Sequence, residues 1–285
     1  MRKNVKDILT TLALVICVLS CSFLFLTACG KDVAGTYTVE VVTEGGMPLE
    51  KVGVYVYADD SLEDMQAVAK TDKNGKATFE SKGAVGSVIV LKDIPTGYKE
   101  QTYEIKEKDT KIVLEAELLS TDNLDGVTLG LGDVFADMSI EATDGNTYTV
   151  SELLEEKKAV VLNFWFIGCD PCRGEFPFLN EAYAQYKDEI EVLAINPCDG
   201  TNETVTEYKK KEGLDFPMAA IDAMWQEIMD VRMYPTTVVI DRYGTIALIH
   251  KGMITETETF TTIFEYFTAD DYKQTTIRNV EDILE

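Results

Sequence analysis

Basic residues and histidine are what this chain has least of. Twenty-six lysines and arginines stand against 50 aspartates and glutamates, and the only histidine is His250. The formal net charge of −24 at pH 7 argues against a nucleic-acid partner and against electrostatic adhesion to anionic lipid. Such a surface serves solubility and carries no information about fold. Cysteine is scarce as well: beyond residue 29 only Cys169, Cys172 and Cys198 occur. Three cysteines in a chain of this length exclude a disulfide scaffold. With His250 they number enough ligands for a zinc site on paper. Cys198 and His250 follow different predicted strands, however, and nothing in their spacing pairs them with the other two, so neither a metal nor another cofactor is expected.

The N-terminus is set aside before the fold is considered. Arg2, Lys3 and Lys6 precede an apolar run, Ile8–Leu26, broken only by small polar residues. That is the pattern of a targeting segment. Leu26-Thr27-Ala28-Cys29, followed by Gly30, resembles the lipobox of bacterial lipoproteins. The resemblance implies a signal peptide over 1–28, lipidation of Cys29 and a tether over 29–34. An uncleaved membrane anchor is the alternative, since the run is nearly long enough to span. Either way the remainder is expected at the extracytoplasmic face of a bacterial cell membrane. Loss of 1–28 removes Cys17 and Cys21 and leaves 23 basic against 49 acidic residues, a net −26.

Residues 35–119 read as all-β. Tyr37–Val42 and Val52–Tyr57 alternate like strands, Asp72-Lys73-Asn74-Gly75 is a turn signal before Lys76–Phe79, and Val88–Leu91 and Lys111–Leu114 complete the set. Short strands between turns predict a small β-sandwich. The stretches PLEKVGVYVY, TDKNGKATF and LKDIPTGYKE resemble the Cna-B-like (prealbumin-like) modules of Gram-positive surface proteins. Some members of that family carry a lysine–asparagine isopeptide crosslink; the first strand here, Thr36–Val42, has no lysine, and none is expected. With no catalytic constellation in sight, the module reads as a stalk.

Residues 120–130 have the polar, glycine-containing composition of a linker. Beyond them strands and helices alternate. Ala159–Phe166 is an apolar run of the length of a strand buried on both faces. Arg173–Tyr186 reads as a helix, with Phe176, Leu179, Tyr183 and Tyr186 on one stripe. Ser151 is placed to cap a short helix before the first of these strands, and a last helix is expected from Thr255 to about Phe267. The order predicts an α/β domain over 131–268, ending in an antiparallel hairpin, with a polar tail, 269–285, that has no predicted place.

Cys169-Asp170-Pro171-Cys172 falls at the junction of that strand and helix. There its first sulfur meets free backbone N–H groups and the positive end of the helix dipole, which favour thiolate over thiol. A reactive dithiol is the reading. VLNFWFIGCDPCRGEFP, LDFP, DVRMYPTTVVID and the glycine of KGMIT together resemble the ResA/TlpA-like branch of thioredoxin-fold thiol–disulfide oxidoreductases. The resemblance implies a thioredoxin-like fold, a redox disulfide Cys169–Cys172 with Cys169 as exposed nucleophile and Cys172 as buried resolving thiol, and a cis proline at Pro235 facing the site. It also implies protein disulfides as substrates, apocytochrome among them, and a membrane electron donor of the thiol-relay type.

Two positions bear on proton handling. Asn163 stands where thioredoxin has a buried aspartate, so proton transfer to the resolving thiol falls to another carboxylate, Asp170 or Glu175. Asp170 between the sulfurs opposes thiolate formation, which suits a mild reductant. Gly168 replaces the tryptophan usual before the first cysteine and opens the rim. A thiol oxidase, and a surface-binding lipoprotein with an inactive domain, are the alternatives, with peroxidase activity a more distant one. Cys198, in Asn196-Pro197-Cys198-Asp199 at a strand end, reads as incidental, with a third redox thiol as the other possibility.

Overall fold

Alternating apolar residues in the first third of the chain fold it into two sheets that face one another. The computed structural model describes residues 34–284; the predicted signal peptide, Cys29 and the tether up to residue 33 lie outside the described residues. Seven strands come first: β1 (Gly35–Thr43), β2 (Gly53–Tyr57), β3 (Met65–Lys70), β4 (Lys76–Ser81), β5 (Val88–Lys92), β6 (Thr102–Glu104) and β7 (Asp109–Leu114). They form one sheet in the order β4-β1-β7 and another in the order β3-β2-β5-β6. Tyr37, Val39 and Val41 of β1 meet Val54 and Val56 of β2 and Ile89 and Leu91 of β5 in one core. The sequence patterns miss β3 and β6. The first is largely exposed, so burial imposes no apolar period on it, and the second has three residues.

The C-terminal part contains β8 (Ser139–Glu141), β9 (Thr147–Thr149), α1 (Val150–Glu156), β10 (Ala159–Phe164), α2 (Asp170–Tyr186), β11 (Ile190–Asn196), α3 (Asn202–Glu212), β12 (Met218–Ala220), α4 (Met224–Ile228), β13 (Thr236–Asp241), β14 (Ile246–Lys251), α5 (Thr257–Thr268) and α6 (Glu281–Leu284). Its central sheet has the order β12-β11-β10-β13-β14, with β10 parallel to β11 and antiparallel to β13. This is the thioredoxin-like arrangement. Every residue of β10 is buried. Ala159 and Val161 pack with residues of α2 and α5, while Val160, Leu162 and Phe164 pack with α4 and the segment before β8. A continuous apolar run is what such two-sided burial requires. Among the described residues no helix is long and apolar enough to cross a membrane.

Three expectations need correction. Ser151 does not cap α1; Thr149 is the N-cap, and the Ser151 N–H and hydroxyl both go to the Asp137 carboxylate, at 2.9 and 3.0 Å. The helix read from Thr255 begins at Thr257, two residues later, with Glu256 as its N-cap. Residues 120–130 are not a free linker, because Leu124 and Leu129 are buried in the C-terminal core and the Leu129 N–H donates to the Ile228 carbonyl at 2.7 Å. The polar tail is also placed: the Ile277 N–H donates to the Ala247 carbonyl at 2.7 Å, and Ile277 and Val280 are buried.

The tail fastens the two parts together. Buried Gln274 donates to the Thr245 hydroxyl at 2.6 Å, and its side-chain oxygen accepts from the Thr43 hydroxyl and from the Gly45 N–H at 3.1 Å. Tyr98 of the β-module reaches the same Thr245 hydroxyl at 3.1 Å. Nearby, the Val134 N–H donates to the Thr96 carbonyl at 2.8 Å, and the Asp133 carboxylate accepts the Thr96 N–H at 2.8 Å. Two glycines permit this closeness: a Cβ on Gly45 would collide with the Gln274 side chain, and one on Gly97 with Val134. Replacing Gln274 by alanine strips partners from groups on both sides of the junction. It is expected to cost about 2 kcal/mol in denaturant unfolding and to let the two parts unfold in separate steps; a single transition at the wild-type midpoint would contradict this.

Candidate functional site

The C-terminal end of β10 delivers the chain to the site. Phe164 pairs with Thr236 across β10 and β13, so the residues after Phe164 stand opposite Pro235, and the Tyr234–Pro235 peptide is cis. Four residues of loop, 165–168, then lead into α2, for which Cys169 is the N-cap. Cys169 Sγ accepts the Cys172 N–H at 3.1 Å, one of the otherwise unpaired donors of a helix start. The two cysteines are joined, with S–S 2.03 Å and Cα–Cα 5.3 Å. Pro171 sits in the first turn, where a missing N–H costs nothing.

Cys169 is not the exposed group expected of a nucleophile: in the disulfide it is 4% exposed, and Cys172 is wholly buried. Both sulfurs join the apolar cluster of Trp165 and Phe176, with Phe166, Ile167 and Tyr234 packed against it. Exposed apolar side chains at this end are Met233, next to Tyr234, and Met253, whose methyl group covers Gly174 in the second turn of α2. Polarizable, flexible methionines make an adaptable rim.

The two carboxylates proposed for proton handling part company. Asp170 turns outward, its side chain 90% exposed and paired with Arg173 at 3.3 Å. Glu175 points inward. Three residues on from Cys172, it lies on the same helix face and is fully buried. Its oxygens accept the Asn163 side-chain N–H at 2.8 Å and the Ile254 backbone N–H at 2.7 Å. Asn163 is in phase along β10 with Ala159 and Val161, hence on the face that α2 covers. It also donates to the Thr237 hydroxyl at 3.2 Å, while its own oxygen is buried without a partner. Burial pushes the Glu175 carboxyl up to about 7, against the pull of its two hydrogen bonds.

Sequence reasoning missed a loop on the other side of the dithiol. The Asn196 side-chain oxygen accepts the N–H groups of Cys198, Asp199 and Gly200 at 3.0, 3.1 and 3.3 Å. The turn so formed aims the Asp199 carboxylate at the Ile167 and Gly168 N–H groups, at 2.8 and 3.2 Å. Cys198 is exposed and lies at this rim, its sulfur 3.1 Å from the Tyr234 hydroxyl. Tyr234 in turn packs edge-on against Phe166. In sequence the aspartate is marked only by its place at the strand end, directly after Cys198. His250 lies on β14, paired with Thr237 and half-buried, and burial lowers its pKa. Among the described residues no three His, Cys, Asp or Glu side chains gather to hold a metal.

Known proteins align with this part of the chain. The model of the AhpC/TSA family matches residues 131–249. Thiol-disulfide oxidoreductase ResA of Halalkalibacterium halodurans is 32% identical over 129 residues, covering 44% of this chain and 70% of that protein. ResA of Bacillus subtilis is 32% identical over 119 residues, covering 41% of this chain and 65% of that protein. A solved thiol:disulfide interchange protein of the thioredoxin family from Chlorobium tepidum, 19% identical, covers 49% of this chain and 99% of its own, with a TM-score of 0.43.

Glu175 gives the oxidised protein a pH signature. The folded state holds its proton more tightly than the unfolded chain, where the carboxyl titrates near 4.5. Its contribution is therefore fully present below that value and lost as pH rises through about 7. Asp241, buried at the module junction and raised to about 6, adds a separate loss over a lower range. Glu175→Gln is expected to flatten the upper part of the fall in unfolding free energy; a wild-type slope between pH of about 6 and 8 would exclude Glu175 as its source.

Proposed function

The chain belongs, through its C-terminal part, to the ResA-like thiol–disulfide oxidoreductases, and from that premise we propose that it reduces disulfides of extracytoplasmic proteins while tethered to the membrane through Cys29. The observation that carries the reading is the Cys169–Cys172 disulfide at the start of α2, with a buried carboxylate of near-neutral pKa on the inward face one turn below. In the dithiol form the Cys169 thiolate attacks a substrate disulfide. One substrate sulfur leaves as thiolate and takes up a proton, and a mixed disulfide remains. Cys172 then gives its proton to Glu175 and attacks Cys169 Sγ, releasing the second substrate thiol and closing the enzyme's disulfide. Two electrons have passed to the substrate, and a membrane dithiol donor returns them.

Each residue has a physical reason in this scheme. The helix start and the Cys172 N–H favour negative charge on Cys169. Glu175 suits proton exchange near neutral pH because its own value lies there. Asp170, solvated and paired with Arg173, is left with a minor electrostatic part. Pro235 with Tyr234, beside the methionine rim, supplies the surface on which a substrate segment rests. The β-module acts as the stalk that carries this surface away from the lipid.

Reduction of insulin disulfides with a dithiol donor tests the reading. Wild type is expected to be active, Cys169→Ser to fall to the uncatalysed rate, and Cys172→Ser to accumulate a mixed disulfide visible on a non-reducing gel. Equal rates for wild type and Cys169→Ser would end the proposal. Equilibration of the Cys169–Cys172 pair with glutathione tests direction: a potential near or below that of thioredoxin, about −270 mV, is expected, and one near −120 mV would make the protein an oxidant.

A further inference from the structure

A carboxylate grips the backbone immediately ahead of the attacking sulfur. Asp199 takes the N–H groups of two successive residues, Ile167 and Gly168, one on each oxygen, and the Asn196 side-chain amide donates to it at 3.0 Å. Asn196 is itself buried at the end of β11 and holds the turn through three N–H groups. Two neighbouring strands, β10 and β11, are thus joined beyond their ends by a side chain rather than by the ladder. Among the described residues no other group accepts the Gly168 N–H, and the residue is exposed and bears no side chain of its own.

The grip has an electrostatic consequence. The Ile167 and Gly168 N–H groups, in the two residues immediately before Cys169, are committed to Asp199. They hold a full negative charge against the backbone of Gly168, the residue that precedes Cys169. Burial raises the Asp199 carboxyl, but the Ile167 N–H, the Asn196 amide and the Gly168 N–H outweigh it and hold the group below the usual carboxylate range, so the charge is permanent at neutral pH. Among the described residues no lysine or arginine pairs with it. The other charged groups about the dithiol are arranged differently. Asp170 is solvated and paired with Arg173, Glu175 lies beneath the helix, and Arg232 beside the cis-proline loop is paired with Asp230 at 2.8 Å.

We propose that Asp199 is a positioning residue for thiol–disulfide exchange, fixing the loop before Cys169 and opposing ionisation of its thiol so that the pair remains a reductant. The proposal rests on Cys169 as the attacking thiol. A stabilised thiolate makes a dithiol easy to form and its disulfide a strong oxidant. Asp199 works in the opposite sense to the helix start and offsets it. The moderation that the sequence suggested for Asp170 passes in the folded protein to a residue on another strand's loop.

The test compares wild type, Asp199→Asn and Asp199→Ala in the full chain, reduced. The pH dependence of Cys169 alkylation gives its ionisation, and equilibration with glutathione gives the redox balance. Asn keeps the shape and one accepting oxygen without the charge; Ala removes both. In each variant the ionisation midpoint of Cys169 is expected to fall, its ionisation constant rising about threefold or more, as for one screened charge at this range. The glutathione equilibrium is expected to move towards the dithiol. Asp199 is exposed, so neither change opens a core, and thermal melting checks the fold. Should the Asn variant melt early, the Ala variant carries the same comparison. A purely structural role would lower the melting temperature and leave the ionisation midpoint in place, and that result overturns the proposal. A wild-type protein that does not exchange with glutathione would instead overturn the reading of Cys169 itself.

Discussion

Glu175 joins three elements that the redox centre needs in register. It rides on α2, takes an N–H from Asn163 on β10, and takes the backbone N–H of Ile254 beyond β14. An ionisable carboxyl at a fully buried position costs stability, and its two donors offset only part of that cost. What the fold gains is a fixed height and rotation of α2 over the sheet, and with them the place of the two sulfurs at its start. The same group then has a proton affinity matched to neutral pH, because it is buried enough to resist charge and hydrogen-bonded enough to accept it.

Around that fixed point the charges are distributed by depth. The helix start and its N–H groups act on Cys169 from one side, and Asp199 acts from the loop that follows β11. Asp170 faces solvent, where water and Arg173 screen it. The apolar rim of Met233, Met253, Phe166 and Tyr234 surrounds a dithiol that is itself almost out of contact with water in the disulfide form. The sulfurs are therefore reached only past this apolar surface.

The β-module is attached at the opposite end of the sheet. β13 starts beside the cis proline and ends at Asp241, whose carboxylate binds the Tyr243 and Thr245 N–H groups at 3.0 Å each and the Tyr272 hydroxyl at 2.9 Å. Thr245 then passes contact on to Tyr98 and, through Gln274, to Thr43 and Gly45. The junction is polar and buried, which demands mutual fit more strictly than an apolar contact of the same size. The chain after the last long helix thus closes the joint between the two parts.

Much of this is legible in the sequence alone. The run Ala159–Phe166 showed two-sided burial, the C-x-x-C at its end showed a capped helix start, and the resemblance named the fold and Pro235. Glu175 is one of the two carboxylates that the sequence offers for proton transfer, and three residues from Cys172 on a helix is the same face. Asn163 declared its side of the sheet by its phase with Val161. These features depend on neighbours in sequence, whose geometry is set by the helix and strand repeats alone. Asp199 and Gln274 depend on no such repeat. The first meets Gly168 across a separation of 31 residues and the second meets Thr43 across 231, contacts that exist only after β11 lies beside β10 and the tail returns to the junction. Local periodicity thus determined where the dithiol sits and which residues underlie it, whereas long-range packing decided which carboxylate governs its charge and what holds the two parts together.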